Sequence, residues 1–258
     1  MGGKLQDKVA VITGCSGGIG REIAIKFAEE GAKLSICARS VDRLKETADI
    51  CAEKGAEVLH MRCDVTIPED LDAYVQATAE RFGTIDILVN NAVDAKPGSP
   101  FLEQSEEYLR TVWESGFLAT WRLMKLCFPY LKQNGGKIIN FSSASGLVSV
   151  EGYAGYAATK EAIRSLSRTV AKEWGPYNIN VNTLCPSAIT ANIQAIIDNM
   201  PEGLRSPETL GYVVPPLGRI GEPYVDIAPV AVFLASEDSR HITGQNIRAD
   251  GGGTIFTS

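Results

Sequence analysis

The sequence predicts an α/β fold: one doubly wound parallel sheet of about seven strands flanked by helices, with the chain 1–258 forming a single domain. Three observations predict it. Short apolar runs rich in β-branched residues alternate with helical patterns along the chain, as strands buried on both faces and their crossovers should. A glycine-rich turn joins the first such run to the first helical pattern. The length of 258 residues, 45% of them apolar, is enough to bury one large core.

The elements follow in order. Lys8–Thr13 reads as a central strand, and Ile19, Ile23 and Phe27 share one face of a helix that ends at Gly31. Lys33–Ala38 is the second strand and Val41–Lys54 its helix; Glu57–Cys63 is the third, with a helix over about Glu69–Phe82. Ile85–Asn90 is the fourth, followed by one long helical pattern from about Ser105 to Leu131. Lys137–Ser142 is the fifth, and the helix carrying Tyr156 runs to about Trp174. Ile179–Leu184, a helix over Asp226–Ser236 and a last strand at Gln245–Asp250 complete the pattern.

Residues 189–221 break the alternation, with prolines at 201, 207, 215 and 216 and glycines at 203, 211, 218 and 221. This segment leaves the sixth strand at the carboxyl edge, where ligands bind in such sheets, and reads as a substrate lid. A loop with no role is the alternative. Ile193, Ile196, Ile197 and Met200 keep helical spacing suited to an apolar cover.

Tyr156 and Lys160 lie one helical turn apart, with Ser143 thirteen residues before the tyrosine. Positions i and i+4 share a helix face, so the ammonium would stand beside the phenol. A phenol titrates near pH ~10 in isolation, and a neighbouring cation lowers that value. Tyr156 would then serve as a general acid/base near neutral pH. The hydroxyl of Ser143, just past the fifth strand, would hydrogen-bond the oxygen that Tyr156 protonates. A surface tyrosine with an i+4 lysine is ordinary, so a second motif carries the weight. Gly14-Cys15-Ser16-Gly17-Gly18-Ile19-Gly20 runs straight from strand to helix. Without Cβ atoms the backbone can touch a pyrophosphate, and the helix N-terminus offers it free N–H groups. A tight turn without a ligand is the plain alternative.

Gly14-x-x-x-Gly18-x-Gly20, Asn90-Asn91-Ala92, Ser143, Tyr156-x-x-x-Lys160 and Asp250-Gly251-Gly252 occur in the order and spacing of the short-chain dehydrogenase/reductase family. The chain resembles that family from about Leu5 to Gly253. The resemblance implies a Rossmann-type subunit, NAD or NADP, and hydride transfer at a ketone or secondary alcohol. It implies Ser143, Tyr156 and Lys160 as the catalytic set. It implies cofactor contacts from Gly14, Ser16, Gly18, Ile19 and Gly20, from Asp64 and Val65, and from Asn91 and Ala92. Pro186, Ile189 and Thr190 after the sixth strand join them, together with Tyr156 and Lys160. It further implies that Asn90 supports the central sheet, that the segment 189–221 sets specificity, and that the chain forms a homo-oligomer. The long helices before and after the fifth strand would build it, as a tetramer or a dimer.

Cofactor preference is decided at the end of the second strand, where NAD enzymes of this type place a carboxylate. Here that place holds Ala38, followed by Arg39 and Ser40. A guanidinium without a competing carboxylate suits the 2′-phosphate of NADP. Arg39 stacked on the adenine, or simply solvated, is the alternative, and NAD remains the second cofactor. The glycine turn helps less, because NADP-preferring relatives often carry a basic residue where this chain has Gly17.

Three departures from the family pattern stand out. Val93 follows Asn90-Asn91-Ala92 where glycine is usual, and Ser187 follows Pro186 where glycine is usual. Counting back three from Gly116, Trp113 stands where the family's catalytic asparagine is expected. Tryptophan offers one N–H and no acceptor, so it cannot copy the amide. Glu114 or Ser115 would have to serve instead, the relay would be shorter, or the register would be off by a residue or two.

A net charge of −6 argues against nucleic acid as a partner. No run of ~20 apolar residues suggests a membrane span. Met1-Gly2-Gly3-Lys4 leads straight into the first strand, without a signal peptide. Six cysteines at 15, 37, 51, 63, 127 and 185 lack a C-x-x-C pair and read as buried reduced thiols of a cytoplasmic protein. His60 and His241 have no ligand cluster, so no metal is expected. The sequence is therefore read as an NADP-preferring oxidoreductase. Its expected small-molecule substrate is a hydrophobic, cyclic ketone or alcohol, steroid-like or terpenoid, on the strength of the lid and Trp113. A dehydratase or lyase on the same scaffold and a catalytically silent nucleotide sensor are the alternatives.

Overall fold

The computed structural model describes residues 2–96, 98–210 and 214–255, without the side chains of Asn192 and Leu210. Seven strands, β1 Val9–Thr13, β2 Lys33–Ala38, β3 Val58–Arg62, β4 Ile87–Asn90, β5 Gly136–Phe141, β6 Ile179–Pro186 and β7 Asn246–Ala249, form one sheet. Every pairing is parallel, in the order β3-β2-β1-β4-β5-β6-β7. The order reverses between β1 and β4, which opens a crevice at their carboxyl ends.

Parallel strands need covered faces, and the side-chain period of two divides each strand between two cores. Ala10 and Ile12 of β1, Ile87 and Val89 of β4, and Ile139 and Phe141 of β5 pack with helices α1 Gly18–Glu29, α2 Val41–Glu53 and α9 Ala228–Ala235. Val11, Leu88 and Ile138 point the other way. There they meet α3 Pro68–Phe82, α5 Ala119–Asn134 and α7 Ala154–Trp174. All six cysteines are buried and unpaired. Among the described residues no helix is long and apolar enough to cross a membrane.

The expected long helix is broken. It consists of α4 Glu106–Trp113, a π-helical turn over Glu114–Leu118, and α5. Ser105 caps α4 by accepting from the N–H of Tyr108 at 3.1 Å. In the wide turn Ser115 Oγ donates to the carbonyl of Thr111 at 2.6 Å, and Gly116 faces α7. A Cβ at Gly116 would lie 2.9 Å from Thr159 Cγ2, so the turn can approach α7 only because that side chain is missing. Hydrophobic periodicity does not register one extra residue per turn, which is why the break is invisible in the pattern. A second π-helical turn, Pro223–Ile227, precedes α9, and a short helix α6, Ala144–Val148, stands between β5 and α7.

The irregular segment is partly helical. Thr190 caps α8, Ala191–Asp198, which carries Ile193, Ile196 and Ile197, while Met200 lies beyond its end. A 3₁₀ turn follows at Pro207–Leu210; residues 211–213 of the expected lid lie outside the described residues. Its base is fastened by a parallel bridge between Ala188 and Gly221, and Leu217 N–H donates to Gly251 O at 3.2 Å.

Candidate active site

The carboxyl ends of β1 and β4 are stitched together by Thr13. Its Oγ1 accepts from the N–H groups of Asn91 at 3.1 Å and Ala92 at 3.0 Å, and its carbonyl takes Asn91 Nδ2 at 2.9 Å. Above them runs a cavity of about 760 Å³ along the crevice. Gly14, Ser16, Gly18 and Ile19 line one end of it. Arg39, Ser40, Asp64 and Val65 line the flank, and Asn91, Ala92, Pro186 and Thr190 the floor. Ser143 and Tyr156 complete the wall.

Three expected cofactor residues are placed differently. Gly20 does not reach the cavity; a Cβ there would lie 2.5 Å from both Gly14 O and Asn91 Nδ2, so it serves the close packing of α1 on the strand ends. Ile189 lines an adjoining hollow behind the glycine turn. Lys160 is 3% exposed and lies beneath the cavity wall.

The Tyr156–Lys160 spacing produces the expected neighbourhood. Lys160 Nζ sits 5.5 Å from the centroid of the Tyr156 ring and donates to the carbonyl of Phe141 at 2.8 Å. Burial pulls its pKa down from 10.5 to about 8, with the Cys185 thiol opposing that shift. The ammonium is therefore held by one carbonyl and the tyrosine ring face in a dry setting. Beside it, Asn90 Nδ2 donates to Asn140 Oδ1 at 2.8 Å, and Asn140 Nδ2 to Ser167 Oγ at 2.8 Å, which ties β4, β5 and α7 together.

Two features of this region were not read from the sequence. Gln104 makes three bonds that tie the Ser99 loop to the start of α7: its Nε2 donates to the carbonyls of Ser99 and Gly152, both at 2.8 Å, and its Oε1 accepts from Gly155 N–H at 3.1 Å. It thereby caps the first turn of α7, where the N-cap Tyr153 makes no side-chain cap. Arg39 is also less free than its position suggested. Its NH1 donates to Asp94 Oδ2 at 2.7 Å across the cavity mouth, and Asp94 N–H is in turn held by Ser115 Oγ at 2.9 Å. Arg43, whose Nε donates to Ser40 Oγ at 3.2 Å, is a second cation on the same flank. Its signal was available: it follows Ser40 by three residues, within one helical turn.

Trp113 corrects an expectation. It is not part of the cavity wall; it stacks on Phe117 at 4.6 Å between ring centroids, and Phe117 in turn meets Trp121 at 6.1 Å. The wide turn brings Ser115 to the cavity and Gly116 to α7 instead. Trp113 therefore supports no inference about the substrate. The other departures are absorbed locally. Val93 lines the cavity and is not among the residues with positive φ, and Ser187 N–H donates to Ala249 O at 2.9 Å.

The cavity fits a dinucleotide on its own evidence. Its volume lies within the ~300–1,000 Å³ typical of ligand clefts. A Cβ at Gly17 would meet nothing within 4 Å, and no N-cap side chain bonds the first turn of α1, which leaves its amides available to an anion. Ser142 Oγ is buried at the wall without a hydrogen-bond partner among the described residues.

Comparison with known proteins agrees. Residues 14–254 match the family described as enoyl-(acyl carrier protein) reductase. The 12α-hydroxysteroid dehydrogenase of a Clostridium species is 38% identical over 97% of this chain and 98% of its own. The chain belongs to the short-chain dehydrogenase/reductase family. Trans-4-hydroxycyclohexanecarboxylate dehydrogenase of Sinomonas cyclohexanicum is 37% identical over 97% of this chain and 94% of its own. The crystal structure of levodione reductase superposes with a TM-score of 0.88 at 30% identity, covering 95% of this chain and 97% of the other. The chain is thus an NAD(P)-dependent oxidoreductase acting on an alcohol or ketone.

Proposed function

We propose that this chain is an NADP-preferring reductase of hydrophobic cyclic ketones, working reversibly on the matching secondary alcohols. The observation that carries the chemistry is the buried Lys160 ammonium against the Tyr156 ring, beside a cavity that Ser143 and Tyr156 share. When bound, the nicotinamide cofactor supplies or accepts the hydride. Tyr156 gives its phenolic proton to the carbonyl oxygen in reduction and takes it back in oxidation. Lys160 stabilises the phenolate. Ser143 donates a hydrogen bond to the same oxygen, where charge develops. Gly14, Ser16, Gly18 and Ile19 would hold the pyrophosphate, and Arg39, Ser40 and Arg43 the adenosine 2′-phosphate.

Apolar side chains support the substrate class. Val148, Val150 and Tyr153 line the cavity beyond Ser143, and Ile193 and Ile196 of α8 face them from the segment 189–221. That segment acts as the lid, within a single domain spanning the chain. Relatives named for a steroid alcohol and for a hydroxylated cyclohexane ring favour a cyclic substrate. The partly exposed ring series Trp113, Phe117 and Trp121, on the broken helix that precedes β5, suits the contact of a homo-oligomer.

The test is a screen of cyclic ketones, including 12-oxosteroids and 4-oxocyclohexanecarboxylate, with loss of NADPH absorbance as readout. Turnover of bulky cyclic ketones, faster with NADPH than NADH, is expected. Preference for short open-chain ketones, or for NADH, overturns the corresponding half of the proposal.

A further inference from the structure

Ser145 lies two residues past Ser143, in the first turn of α6, and is 8% exposed. Its hydroxyl oxygen is 2.9 Å from that of Ser143, and its backbone N–H donates to Ser143 Oγ at 3.3 Å. Both serines line the cavity. A hydroxyl has one hydrogen to give and two lone pairs to accept with. Ser143 already spends one lone pair on the backbone N–H. Were Ser143 to give its hydrogen to Ser145, none would remain for a substrate oxygen. If Ser145 gives its hydrogen instead, both lone pairs of Ser143 are filled and its own hydrogen is left to point into the cavity. Such a chain also strengthens the outermost donor, because each bond polarises the next.

We propose that Ser145 is a positioning residue: its hydroxyl donates to Ser143 Oγ and so directs the Ser143 hydroxyl at the substrate oxygen. The proposal rests on the role given above to Ser143. Ser142, the other neighbouring serine, makes no such contact; its hydroxyl is buried without a partner among the described residues. A plain capping role does not explain the arrangement. The cap of α6 is the bond from Ser145 N–H to Ser143 Oγ, and alanine at 145 would retain it.

The experiment is a double-mutant cycle on the full chain, using Ser143→Ala, Ser145→Ala and both together, with NADPH and 2-decalone as the probe ketone. Ser145→Ala should lower kcat by about 3–10-fold with KM little changed, the effect of losing one neutral hydrogen bond. Ser145→Thr should restore it. On the Ser143→Ala background, Ser145→Ala should change nothing further, because Ser145 acts only through Ser143. Losses that multiply across the cycle, or a wild-type kcat in Ser145→Ala, overturn the proposal. A neutron map of the deuterated protein needs no substrate. The Ser145 deuteron should lie on the line to Ser143 Oγ, and a Ser143 deuteron pointing at Ser145 would refute the arrangement. If wild type fails to reduce the ketone, the proposed function is at fault, while the neutron map still decides the role of Ser145.

Discussion

The two ends of the cavity are built from opposite physics. At the Tyr156 end, Lys160 is 3% exposed and hydrogen-bonded to a strand carbonyl, and Asn90, Asn140 and Ser167 lock the surrounding elements. At the Arg39 end, the Arg39 and Asp94 side chains that meet across the mouth are 58% and 35% exposed. Charges at the first end act through little water and have few alternative partners. At the second, solvent screens each charge and partners exchange readily. The first end should therefore respond to substitution in an all-or-none manner, and the second by degrees.

The largest effect belongs to the buried end. Tyr156→Phe removes the proposed proton donor, so turnover should fall by at least about 10²–10⁴-fold, the span of general acid/base groups. NADPH should still bind, as read by its fluorescence. A folded Tyr156→Phe protein with near-normal turnover would end the contrast at once.

Changes at the exposed end should be graded. Ala38→Asp with Arg39→Leu places a carboxylate where the proposed cofactor site would hold the ribose hydroxyls and removes a guanidinium. The ratio of kcat/KM for NADPH to that for NADH should drop roughly tenfold to a few hundredfold. A ratio unmoved by the double change would leave Arg39 as a solvated side chain. Asp94→Asn tests the ion pair from its other side. Taking one negative charge away from the mouth should tighten adenosine 2′,5′-bisphosphate by about 2–5-fold at low salt, and less at high salt. Equal binding in both proteins at low salt would show that Asp94 does not compete with the phosphate.

Smaller effects sharpen the comparison. Lys160 titrates near pH 8 when folded against 10.5 ordinarily, because burial disfavours its charge. Between those values the unfolded chain holds a proton that the folded chain has released, so stability rises with pH through that window. The urea midpoint of wild type relative to Lys160→Met should accordingly rise from pH 8 to pH 10; a flat difference would mean that the lysine is not desolvated. Trp113→Ala loses a ring stack outside the cavity. It should cost ~1–2 kcal/mol of stability and leave kinetics with 2-decalone nearly unchanged. A large change in KM with unchanged stability would return Trp113 to the pocket wall.

The sheet was legible because parallel strands buried on both faces leave continuous apolar runs, as in Val9–Thr13 and Lys33–Ala38. The Tyr156–Lys160 pair was legible because helical spacing alone sets their neighbourhood. Contacts between distant segments were not. Gln104 meets Gly155 across 51 residues and Arg39 meets Asp94 across 55, and neither spacing is periodic. The place of Trp113 is misread for a local reason: the count back from Gly116 starts inside a π-helical turn, whose extra residue changes the angular offset between Gly116 and Trp113, and the apolar pattern runs through it unbroken. The glycine motif alone does not separate Gly20, whose missing Cβ serves the packing of α1, from the glycines that line the cavity.

Hydride transfer coupled to protonation by Tyr156 is tested most directly with NADPH deuterated at the transferable C4 position. 2-Decalone is reduced by wild type and by Tyr156→Phe, and the recovered alcohol is examined by mass spectrometry. Wild type should yield an alcohol with one deuterium on the carbinol carbon, and Tyr156→Phe should yield almost none of that product while still binding the cofactor. Alcohol without the label, or labelled alcohol formed equally fast by both proteins, would contradict the mechanism.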